Sequence, residues 1–150
     1  MSLSFHGPRG TIEQRWIYYA LLRDNVQHHI EGGKPSGEFE CLHEISHALM
    51  HHRVTVSAKK LHDELIRAHK VLMEMPSSEL AISLRTRAVL SLRPPPDSRE
   101  TELVRDWGGT IPLLGKMRPQ LADVFGHLLE QLLTITEGAT DTDEVTIIDL

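Results

Sequence analysis

The side chains best suited to chemistry in this chain lie in one short run, His43-Glu44-Ile45-Ser46-His47. On a helix, two His four residues apart share a face and can both bind Zn²⁺. A Glu between them can act as general base on a zinc-bound water. The run makes His43 and His47 candidate zinc ligands and Glu44 the candidate catalytic base.

The neighbourhood His43-Glu-Ile-Ser-His-Ala-Leu-Met-His51 resembles zincin metallopeptidases, in particular small intracellular zincins of the ImmA/IrrE kind, over about residues 41–76. That resemblance implies a third ligand, a carboxylate from the following helix. Glu64 fills this place, with His62 and His69 as substitutes. Met50 and Arg53 stand where the long metzincin form has a Gly and a third His. The segment ahead of the motif reads as helix, where zincins generally have a strand pair.

Helix phase gives a plainer reading. With Leu42 at 0° and roughly 100° per residue, Ile45 and Leu49 fall on the apolar side. His43, His47 and His51 fall on the polar side, shared with Glu40 and Glu44. A catalytic zinc site would need that face covered; left open, it is a solvated His/Glu face. Ten His are present, nine of them in residues 1–69, which permits a pH response near the imidazole pKa. His28 and His29 close the first expected helix, where a cationic ring suits the dipole. His62 and His69 read as hydrogen-bonded boundary residues.

Other signals are weaker. Arg23 and His28 fit the loose R-x₄₋₆-H pattern of HEPN-type helical ribonucleases, a pattern this composition yields about twice by chance. Gly109 to Lys116 has five residues between its glycines, where a phosphate loop needs four, and Met117 replaces the Ser/Thr. Cys41 lies on the apolar side of its helix and reads as core. Trp16 and Tyr18 cannot both face the core centre, so one of them is free to serve an interface.

These residues need elements to position them. Apolar residues at three- and four-residue spacing predict helices over 11–31, 36–52, 57–75, 77–92 and 119–137, with a short one over 99–106. Ser57 is the expected cap of the third. Leu80, Ile82 and Leu84 also alternate by two, so the fourth competes with a strand. Residues 53–56 read as an extended link. Pro119 and Gly138 bracket the last long helix. The acidic tail has a β-branched core, Val145-Thr-Ile-Ile148, and reads as an edge strand or as disordered. As a strand it would pair with 3–5, with 53–56 or with a second copy of the chain.

The expected fold class is mainly α: a four- to five-helix bundle over 11–138, an N-terminal extension over 1–10 and an acidic tail over 139–150. The 150 residues, 40% of them hydrophobic, suffice for one core. Residues 1–93 carry net charge +2 and residues 94–150 carry −7, which argues against nucleic acid. No apolar run approaches the roughly 20 residues of a membrane span, and no secretory signal is read. One Cys points to a reducing compartment, the cytoplasm. The leading expectation is a small non-enzymatic interaction or regulatory module, a homo-oligomer or bound to a protein partner, without a cofactor. The alternatives are a zinc-dependent hydrolase built on His43, Glu44, His47 and Glu64, and a metal- or pH-sensing His-rich bundle.

Overall fold

The computed structural model describes residues 2–74, 81–83, 101–103 and 126–150. The chain begins with two strands, β1 (Ser2–Gly7) and β2 (Gly10–Arg15). They pair antiparallel around the turn Gly7-Pro8-Arg9-Gly10. Helix α1 (Trp16–His29) follows, then the short helices α2 (Glu40–Ile45) and α3 (Ala48–His51). Strand β3 (Arg53–Ser57) leads directly into α4 (Ala58–Leu72). Strands β4 (Ala81–Ser83) and β5 (Thr101–Leu103) pair with each other. Helix α5 is described over 126–136, and β6 (Glu144–Asp149) ends the fold.

The expected mainly α bundle is therefore corrected. The main sheet has four antiparallel strands in the order β2-β1-β6-β3. β6 lies inside it, between β1 and β3, with Phe5 opposite Ile147 and Ile147 opposite Val54. Both pairing partners suggested by the sequence are thus used at once, and the tail is a central strand. One face of the sheet carries Leu3, Phe5, Val56, Val145 and Ile147, all buried in a single core with residues of α1, α2, α4 and α5. Among the described residues, no helix is long and apolar enough to cross a membrane.

The errors have local causes. Ile12 lies four residues before Trp16 and so looks helical, but its segment alternates with period two and pairs with β1. The helix expected over 36–52 is broken. Ser46 and His47 donate their amides three residues back, to the His43 (3.1 Å) and Glu44 (3.0 Å) carbonyls. The Ser46 hydroxyl donates to the His43 carbonyl as well. Such side-chain bonding tightens a helical turn. His52, at φ 60°, then ends α3. Thr101–Leu103 and Ala81–Ser83 are strands where helices are expected; the rest of 77–92 and 99–106, and residues 119–125, lie outside the described residues.

Other expectations hold. The Ser57 side chain accepts from the Lys60 amide at the start of α4. Leu61, Leu65, Ala68 and Leu72 form its buried stripe. Gly138, at φ +69°, follows the end of α5.

Candidate functional site

The His row survives the break in its helix. The His43 and His47 rings lie edge to face with centroids 4.9 Å apart, and His47 and His51 follow at 6.3 Å. Glu44 lies beside the row, its carboxylate 3.9 Å from His47 Nδ1, and both side chains are well exposed. His52 reaches Asp149 at 3.7 Å.

Glu64 is placed differently from its neighbours in the motif. It is buried on the inner face of α4. Its Oε2 accepts from the Cys41 amide (3.0 Å) and its Oε1 from the Leu42 amide (3.1 Å). These amides belong to the first turn of α2, where helix geometry leaves N–H groups unbonded. No α2 side chain caps them, so a carboxylate from α4 does so and also suits the helix dipole. Among the described residues, no group of three or more His, Cys, Asp and Glu side chains is arranged to hold a metal ion.

Other chemistry-bearing groups are buried or half-buried in the packing of the helices. The Tyr19 hydroxyl donates to the Leu42 carbonyl, fixing α1 to α2. Burial drives its phenol far above the ordinary value, against the pull of Arg23. Cys41 is a buried free thiol. Burial first, then the Glu64 carboxylate, pushes it up to about 12. Arg23 forms a buried ion pair with Glu31, and its Nη2 has no hydrogen-bond partner among the described residues. His62 Nδ1 bonds the Thr136 hydroxyl at 2.9 Å, tying α4 to α5. His28 and His29 contact edge to face at 4.8 Å in the last turn of α1.

The outer face of the sheet was not singled out by the sequence. Cross-strand register sets Thr11, His6, Thr146 and Thr55 in one row and Glu13, Ser4, Ile148 and Arg53 in the next. His6, Thr11, Glu13, Arg53 and Thr55 are exposed. The His6 ring is held by Ser4 Oγ at Nε2 (2.9 Å) and Thr11 Oγ1 at Nδ1 (3.3 Å). At the β3 edge an open cleft of about 570 Å³ is lined by Thr55, Val56, Ser57, Asp141, Thr142, Asp143 and Glu144. Period-two alternation in residues 2–7 and 53–57 is the signal that could have found this face. Comparison with protein-family models, curated proteins and solved structures returns no match.

Proposed function

We propose that this chain is a non-enzymatic cytoplasmic interaction module that acts with a second copy of itself or another protein. The observation that carries this reading is the placement of Glu64. Both oxygens of the carboxylate that a third zinc ligand would require accept backbone hydrogen bonds in the first turn of α2. Breaking that cap to recruit a metal would leave two buried amides unsatisfied, at about 1–3 kcal/mol each. Tyr19 and His62 likewise join one element to another, and Arg23 ties α1 to the turn that follows it. The outer face of the sheet and its edges offer exposed groups to a partner.

The second reading is a zinc site on His43 and His47, favoured by the 4.9 Å separation of their rings. Zinc content and affinity of the purified chain, beside His47→Ala, separate the two. The interaction reading expects no stoichiometric zinc and equal stability of the two proteins. Stoichiometric zinc that is lost in His47→Ala would replace it with the metal reading.

A further inference from the structure

We infer that the outer edge of β3, which pairs with no other strand among the described residues, is a self-association surface, on which β3 of a second copy lies antiparallel, centred on Thr55. The inference rests on the interaction reading above and names its partner and residues.

The Asp149 amide donates to the His52 carbonyl (3.0 Å) and the Ala58 amide to the Asp143 carbonyl (3.0 Å). In an antiparallel ladder bonded pairs recur every second residue. With Val54 opposite Ile147 and Val56 opposite Val145, the main-chain groups of Val54 and Val56 face β6. Those of Arg53, Thr55 and Ser57 face away from the sheet. Val54 is half-buried, whereas Ile147 beside it is fully buried, so the inner side of this edge is not closed.

A second copy fits this edge by symmetry. A two-fold axis at Thr55 sets Thr55 against Thr55, Arg53 against Ser57 and Val54 against Val56. The threonines form a favourable cross-strand pair, and Val54 gains apolar cover. Arg53 is exposed. In the pair it points past Ser57 of the other copy toward Glu144, which stands opposite Ser57 on β6. The cleft there also holds Asp141 and Asp143. Lys59 already pairs with Asp141 at 3.0 Å, so Glu144 is the carboxylate that Arg53 of the other copy meets, and the two-fold axis makes this contact twice.

The other edge lacks this complementarity. The Leu150 amide donates to the Ser2 carbonyl (3.0 Å), so Ser2, Ser4 and His6 face β6, and Leu3 and Phe5 face β2. On β2, Thr11, Glu13 and Arg15 are left pointing outward. A second copy there would set Glu13 against Glu13, a like-charge pair that protects an edge.

Two experiments on the full chain test the proposal. In a bonded antiparallel pair the Cα atoms lie about 5.5 Å apart, within the roughly 4.4–6.8 Å span of a disulfide. Mild oxidation of Thr55→Cys should give a covalent dimer. Glu13→Cys and the wild type, whose buried Cys41 is the only native thiol, should not. In sedimentation equilibrium, Arg53→Glu and Glu144→Arg should each self-associate at least about tenfold more weakly than wild type, because two attractions become repulsions. An equimolar mixture of the two variants should regain wild-type association, since each interface contact is then again between opposite charges. A role of either residue in folding alone would give no such rescue. A wild-type dimer without the Thr55→Cys cross-link, or without rescue in the mixture, would overturn the β3 assignment and leave the interaction reading standing. A chain that stays monomeric at every concentration, or whose edge takes up a strand from another protein instead, would also overturn it.

Discussion

Glu64 shows how one buried carboxylate can serve the backbone. It lies on α4, yet its two hydrogen bonds start α2. Glu64→Gln keeps the shape but turns an amide N–H₂ toward one of the two donors. It should lower stability by about 1–3 kcal/mol in urea unfolding. Cys41, beside it, should resist alkylation at neutral pH in the folded protein and react once unfolded, because its thiol is held near pKa about 12. Glu31 sets an acid limit. Burial raises its pKa, but hydrogen bonds from Ser36 and Arg23 outweigh burial and hold the carboxyl below its ordinary value. A carboxyl lowered in the fold stabilises above its unfolded pKa. That contribution is lost as pH falls through the folded pKa. Stability measured along an acid series should therefore drop below the usual carboxylate range, and Glu31→Gln should flatten the drop. Of these roles, the burial of Cys41 is legible in helix phase. The partner of Glu64 is not, because a contact across 22 or 23 residues leaves no local pattern.

The elements divide by length. α1 and α4 are long enough for their apolar spacing to stand out, and both are legible in the sequence. The strands run three to six residues and alternate residues only a few times each. β2 merges in sequence with the periodicity of α1, and the pairing of β6 leaves no local signal because its partners are far away in sequence. Its position makes it testable. Removing residues 144–150 deletes the strand between β1 and β3, so the truncated chain should lose the cooperative thermal transition of the full one. The β1–β2 turn has its own constraint. A Cβ on Gly7 would lie 2.8 Å from the Ile135 carbonyl oxygen, and the Arg9 amide donates to that same oxygen at 3.1 Å. Gly7→Ala should push the turn off the end of α5 and cost about 1–3 kcal/mol in thermal or urea unfolding.

The whole molecule separates its two candidate sites. The His row lies half-exposed on α2 and α3, with Glu64 engaged below in capping. Along β3, the outer face presents Arg53 and Thr55, with Glu144 beside Ser57 on β6. Fold class was the least legible feature, since helical spacing dominates the sequence while the sheet is assembled from both termini and one short internal segment. The most direct test is sedimentation equilibrium of the purified chain over a wide concentration range, with and without a metal chelator. A reversible monomer–dimer equilibrium that the chelator leaves unchanged is the expected result. A strict monomer would contradict self-association, and a dimer that the chelator dissociates would return attention to His43 and His47.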